Sequence, residues 1–190
     1  MNKDYTVDKQ FDKVDFTVTG LGKGEYENCT FRNCNFSGVT LAEMMFSECA
    51  FDDCDFSMAK LRNASFRDVK FKRCKQLGLR FDECNTMLLS FFFDNCTLNF
   101  SSFYKLKIKS TTFKECNLQE VEFVEADLTN SKFLSCDLID AKFENTILIG
   151  ADFRTAYNYS IDPELNPMKN AKFSFAGVAG LLDKYGIVVE

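Results

Sequence analysis

The chain of 190 residues contains no His and no Trp, only two Pro and nine Gly. Without His there is no Ser-His-Asp or Cys-His nucleophile system, and metal sites lose their commonest nitrogen ligand. The scarcity of Pro and Gly argues against a loop-rich sandwich. Gly20-Leu21-Gly22-Lys23-Gly24 has neither of the two phosphate-loop spacings. No apolar run approaches the ~18 residues of a membrane span. Met1-Asn2-Lys3-Asp4-Tyr5 carries no apolar signal region, so the expected location is the cytoplasm, away from membranes. These absences point away from an enzyme, and no cofactor is expected.

The chain does have 22 Phe and nine Cys, and both fall into one period. In Cys29-Thr30-Phe31-Arg32-Asn33 and Cys34-Asn35-Phe36-Ser37-Gly38, a small residue comes first and a polar one second. A large apolar residue is third, and two polar or turn-forming residues follow. The third, central position continues as Phe46, Phe51, Phe56, Leu61, Phe66, Phe71 and Phe81, and later runs from Phe93 to Phe153. A period of five fits neither a helix nor a plain strand. Within one unit, though, the first and third residues point to the same side of an extended segment. Four units closed by bends make a square coil of 20 residues, and stacked coils pair as parallel bridges about 4.8 Å apart. A single coil cannot bury its apolar side; a stack can.

Each Cys stands at the first, inward position. Cys34, Cys54, Cys74, Cys96, Cys116 and Cys136 form one ladder, Cys29 and Cys49 a shorter one. In-register rungs keep the thiols parallel. They do not converge as a zinc site requires, and the rungs are too far apart for disulfides. The ladder reads as packing, with Cys as a small buried hydrophobe, and free thiols favour a reducing compartment.

Ala126-Asp127-Leu128-Thr129-Asn130, Cys136-Asp137-Leu138-Ile139-Asp140 and Ala151-Asp152-Phe153-Arg154 resemble the pentapeptide-repeat family over about residues 14–155. That family's fold is an all-β, right-handed quadrilateral β-helix. The expected organisation is a β-helix over 1–155, with 1–13 as an N-terminal cap where Lys9 and Gly24 are poor inward residues. Residues 156–190 follow as a C-terminal cap and dimerisation element. The step from Cys74 to Cys96 is 22 residues instead of 20, so two extra residues lie near 85–92, between Cys84 and Cys96. Gln76 and Thr86 occupy central positions there. At least one of Phe91 and Phe92 should face solvent, which makes Met87, Phe91 and Phe92 candidate partner contacts. Beyond the break Phe alternates with Leu or Ile, which predicts Phe on two opposite faces.

In the tail, Asp162-Pro163-Glu164 reads as a helix start. Lys172-Phe173-Ser174-Phe175 reads as strand-like, and 176–185 as a short helix stopped by Gly186. Val178, Leu181, Leu182 and Tyr185 would share one helical stripe. With Ile187, Val188 and Val189 they form the expected homodimer interface. Ile161-Asp162-Pro163-Glu164-Leu165-Asn166, Gly180-Leu181-Leu182 and Gly186-Ile187-Val188-Val189 resemble the tails of the microcin-B17 immunity and Qnr quinolone-resistance branches of the family. That resemblance implies a dimer that binds and protects DNA gyrase or topoisomerase IV by imitating duplex DNA. The net charge of −5 is modest for such a mimic. Its acids cluster at Glu43–Asp55 and Glu115–Asp127, and Glu120, Glu122 and Asp140 are the candidate mimic residues. A basic band runs from Lys60 to Arg80 and includes Lys70, Lys72 and Arg73. It lacks an exposed aromatic, so direct nucleic-acid binding is not expected. The alternative is a scaffold solenoid with another protein partner.

Overall fold

The computed structural model describes residues 4–188. In chain order its strands are β1 (Asp4–Val7), β2 (Gln10–Asp12), β3 (Gly24–Glu27), β4 (Thr30–Arg32), β5 (Met45–Ser47) and β6 (Ala50–Asp52). They continue with β7 (Ser65–Arg67), β8 (Val69–Lys72), β9 (Phe91–Asp94), β10 (Thr112–Lys114) and β11 (Lys132–Leu134). All pair in parallel. One sheet runs β2-β4-β6-β8-β9-β10-β11 along what we term wall 1, and another runs β1-β3-β5-β7 along wall 4. Walls 2 and 3, centred on residues such as Phe36 and Leu41, are held by isolated bridges, among them Asn35↔Asp55 and Thr40↔Lys60. The expected four-walled parallel β-helix is therefore present.

Central side chains stack from coil to coil. On wall 1, Phe31 and Phe51 lie 4.7 Å apart with an interplanar angle of 13°, and Phe93 and Phe113 lie 5.1 Å apart at 3°. Neighbouring walls meet edge-on, as Phe51 and Phe56 do at 84°. Both geometries suit the ring quadrupole and add about 0.5–1.5 kcal/mol per pair beyond area burial. The corners exact a cost. The last residue of most units is left-handed, including Asn33 (φ 53°), Asp53 (φ 53°) and Phe100 (φ 63°), which costs roughly 1–2 kcal/mol for a non-Gly residue. Each of these amides donates to the next coil, Asn33 N to Asp52 O at 2.9 Å and Phe100 N to Gln119 O at 3.0 Å. The polar second position has its own task. The Oδ1 of Asn35, Asp127 and Asp152 accepts the amide of Ser37, Thr129 and Arg154 respectively, at 3.0–3.1 Å. Asn and Asp thus close the bend with a local side-chain turn.

All nine cysteines are free and buried. They are more than small hydrophobes. The Cys54 thiol lies 3.4 Å from the carbonyls of both Phe31 and Asp52, and Cys136 repeats the pattern with Phe113 and Leu134. Where Ser131 or Thr146 takes the slot, its hydroxyl donates to the equivalent carbonyl, Ile108 O or Phe123 O. The slot therefore favours a small side chain with one proton to give. Burial pushes the Cys49 thiol up to about 12 and raises Cys74 and Cys116 well above the ordinary range, so these thiols stay protonated donors.

The break lies on wall 4. Asn85 N still bonds Ala64 O, but Val69 already pairs with Phe91, 22 residues on. The extra pair thus falls within 86–89, where Thr86, Met87 and Leu88 are exposed and only Leu89 packs, partly buried, on the core. Phe91 fills the gap. It takes a small-residue slot yet is only 6% exposed, with its ring 5.3 Å from Phe81 and 5.8 Å from Phe66. The cross-section changes here. Up to Phe66 walls 1, 2 and 4 carry aromatic rings and wall 3 carries Leu; wall 3 turns to Phe at Phe81, just ahead of the extra residues, and beyond the break Phe occupies opposite walls 1 and 3, as expected. Gln76 stands at the changeover, 0% exposed, with neither amide atom partnered among the described residues.

The ends differ from expectation. Residues 4–12 enter the stack as β1 and β2, paired to β3 and β4. The repeat does not stop at Phe153: Lys172 bridges Asp152, and Phe173 stacks on Phe153 at 5.3 Å and 3°. No helix starts at Asp162, whose carboxylate instead closes a local turn on Glu164 N at 2.8 Å. Asn166 plugs the inward slot of wall 4, bonding Phe143 O, Asp162 O and Thr146 N. The 176–185 segment forms two 3-10 turns, Val178–Leu181 and Asp183–Tyr185, in place of an α-helix. Gly177 and Gly180 weaken helix propensity, and both sit so close to Tyr159 that a Cβ on either would collide with it. Gly186 does end the segment in the left-handed conformation.

Phe51→Ala or Phe123→Ala is expected to cost ~3–5 kcal/mol in urea unfolding, because each empties one place in a stacked ladder. Cys54→Ser keeps the donated proton and should lose less stability than Cys54→Ala. Hydrogen bonds from Arg154, Thr17 and Lys184 hold the carboxyls of Asp152, Asp15 and Asp162 below their ordinary value. A depressed native pKa stabilises above the unfolded value of about 3.9 and is lost as pH falls through the native one. The urea midpoint should therefore hold from pH 8 to 5 and fall below about pH 4.

Candidate protein-interaction surfaces

The C-terminal end carries the largest concentration of exposed apolar side chains. Val178, Tyr185, Ile187 and Val188 are exposed there, whereas Leu181 packs partly on the core and Leu182 is half-buried. Because the segment is 3-10, these residues do not form the expected α-helical stripe. Val189 lies outside the described residues. Lys184 reaches Asp162 at 2.7 Å and Glu164 at 2.8 Å, the Tyr185 hydroxyl donates to Glu164 at 3.0 Å, and Ile161 N donates to Gly180 O at 2.9 Å. These bonds fix the turns against the last coil and leave the apolar side outward. Phe175, 99% exposed, is the residue that sequence reasoning missed. The signal existed: extending the five-residue register from Phe153 to Phe173 places Phe175 at an outward corner. A cavity of about 420 Å3 lies beside it, lined by Tyr157, Tyr159, Gly177 and Gly180 among others.

At the break the two adjacent rings separate. Phe92 faces out at 37% exposure, while Phe91 belongs to the core and is withdrawn from the candidate contacts. Met87 is exposed and, with Leu88, Met45 and Arg67, borders a small cavity of about 140 Å3 on wall 4. The basic band does hold an exposed aromatic after all, since Phe92 pairs in register with Lys70.

The charges form no continuous acidic surface. Asp52 and Asp53 are bound by Arg73 at 2.6 and 2.8 Å, Asp127 by Lys109 at 3.1 Å, Glu125 by Lys105 at 3.5 Å and Asp94 by Lys114 at 3.2 Å. Such pairs offset part of both expected acidic clusters. Glu120 and Asp140 do stack at one corner, where Glu120 N bonds Ile139 O, and neither carboxylate has an ion pair among the described residues. Glu122 is less available. It accepts the Ser102 hydroxyl at 2.8 Å and pairs in register with Lys142. Among the described residues no group of His, Cys, Asp and Glu is arranged to hold a metal ion, and no helix is long and apolar enough to cross a membrane.

A family model described as the pentapeptide repeat region matches residues 24–92 and 88–157. A search of curated proteins returns no match. Among solved structures, a trypsin-treated form of QnrB1, a plasmid-mediated fluoroquinolone resistance protein, superposes with a TM-score of 0.64 at 20% identity, over 100% of both chains. Full-length QnrB1 gives 0.56 at 18% identity, over 97% of this chain and 100% of that one. At such identity the likeness is one of fold.

Proposed function

This chain belongs to the pentapeptide-repeat family, and we propose that it is a non-enzymatic binding solenoid that engages a type II topoisomerase, DNA gyrase or topoisomerase IV, and shields it from inhibitors such as quinolones. The observation that carries this reading is the full-length fold likeness to QnrB1, end to end on both chains. The tail resemblance adds to it. The acidic corner of Glu120 and Asp140, with Glu122 nearby, supplies a place where the surface could imitate phosphate. We further propose a homodimer joined through the C-terminal face, where Phe175, Val178, Ile187 and Val188 leave apolar area uncovered. An isologous contact lets one such patch cover its copy.

A scaffold role with a different protein partner is favoured by one observation. Asp52, Asp94, Glu125 and Asp127 are each paired with a cation of a neighbouring coil, which dilutes a polyanion.

The dimer should sediment as such at micromolar concentration, and Phe175→Ser with Val178→Ser should shift it to monomer with the far-ultraviolet dichroism unchanged. A monomeric parent would refute this part alone. In a gyrase supercoiling assay the protein should restore activity in the presence of a quinolone. Charge reversal at Glu120, Glu122 and Asp140 should weaken that protection, and more so at low salt, because exposed charges are screened beyond ~8 Å at physiological ionic strength. Neutralising Lys60 and Arg62 should not. No gyrase binding by the parent protein would transfer the case to the scaffold reading.

A further inference from the structure

We propose that wall 1 carries a nucleotide-binding groove, in which Arg32, Lys70 and Lys72 hold the phosphate and the exposed ring of Phe92 stacks on the base. The groove is a cavity of about 240 Å3 on the outer surface of β4, β6, β8 and β9. It exists because Ala50 is small: Ala50 stands between Thr30 and Lys70 in the outward column of the sheet and leaves an opening over the backbone of Phe51 and Phe71.

The cations around it differ from those elsewhere on the solenoid. Ladder cations commonly meet a carboxylate one coil away, as Arg73 meets Asp53, Lys75 meets Asp55 and Lys105 meets Glu125. By register Arg32 and Lys72 should share Asp52, which pairs with both, and Lys72 should also have Asp94. Yet Asp52 is taken by Arg73 at 2.6 Å and Asp94 by Lys114 at 3.2 Å. Arg32, Lys70 and Lys72 are exposed and have no ion pair among the described residues. Two carboxylates line the groove, Asp52 sharing Arg73 with Asp53 and Asp94 sharing Lys114 with Glu115. With Arg32, Lys70 and Lys72 the five cations outnumber these four acids, so the local field is positive on a chain of net charge −5.

Geometry suits one phosphate. Lys70 and Lys72 are two residues apart on β8 and therefore project to the same side about 7 Å apart. Arg32 stands two strands away, about 10 Å across, and closes the triangle. Its planar fork matches phosphate oxygens. On the far side Phe92 lies beside Lys70 in register and lines the groove at 37% exposure, an aromatic surface of the kind on which bases stack. An acidic peptide would use the cations and leave the ring idle. A long duplex lying along wall 1 would meet Asp94 and Glu115, two carboxylates that share the single cation Lys114. A single nucleotide uses the cations and the ring together and fits the volume.

The test is calorimetric titration with ADP and, separately, with inorganic phosphate, at low and high salt. ADP should bind saturably at one site per chain with a dissociation constant under about 1 mM, weakening as salt rises. Lys70→Gln with Lys72→Gln should weaken both ligands by about tenfold or more. Phe92→Ser should weaken ADP by about tenfold and leave phosphate within about twofold, a split that separates stacking from charge. Lys132→Gln, on the same wall but outside the groove, should change neither by more than about twofold. All these side chains are exposed, and thermal melts of the variants will show that the fold is retained. Absence of saturable ADP binding by the parent would overturn the proposal. So would equal loss of ADP and phosphate in Phe92→Ser, or a Lys132→Gln effect as large as that of the Lys70 and Lys72 pair.

Discussion

Coil-to-coil backbone pairing at a fixed 20-residue offset governs everything else in the molecule. It brings Phe31, Phe51 and Phe71 into a stack, sets one inward thiol above another, and decides which surface charge faces which. Because neighbouring coils are in register, a residue type is repeated where its shape suits the wall, and one misfit is felt above and below. The left-handed corners are the recurrent cost of this arrangement. They are tolerated because most of the strained residues contribute an amide to the next coil.

The break shows how the constraint is relaxed. Two extra residues are accommodated only on wall 4, whose sheet ends at β7, while wall 1 continues without interruption through β8 and β9. The change from three aromatic walls to two takes place in the same coil. Phe91 turning inward and Gln76 buried without partners are the two irregularities that join sections of different internal shape. A buried unpartnered amide is destabilising, so stability along the stack should be lowest here, in the manner of a one-dimensional array with one weak interface.

Much of the fold was legible because the period is short, nearly unbroken and carried by Phe, a side chain with few alternative places to go. The inward thiols and the location of the break followed from counting alone. Other features depend on choices that spacing does not encode. Asp52 has cations on three sides, and its preference for Arg73 over Arg32 and Lys72 rests on side-chain reach. The tail's apolar spacing suggested a helix, but close packing of Gly177 and Gly180 on Tyr159 selected 3-10 turns. Of the two aromatics at the break, pairing of Phe91 with inward Val69 and of Phe92 with outward Lys70 decided which would turn in. The candidate surface was read in outline; Phe175 was missed because the register was taken to end one coil too soon.

The uniform stacking also makes the solenoid a ruler. Each 20-residue coil adds about 4.8 Å along the axis and nothing to the cross-section. The distance from the wall 1 groove to the C-terminal apolar face is therefore counted in whole coils between Phe93 and Phe173. Gain or loss of one coil by duplication or deletion would move those two surfaces apart or together by a fixed step and leave each intact. Spacing between binding surfaces can thus change in quantised increments by events that leave every wall in register, whereas an insertion of any other length must find a gap like the one at residues 86–89.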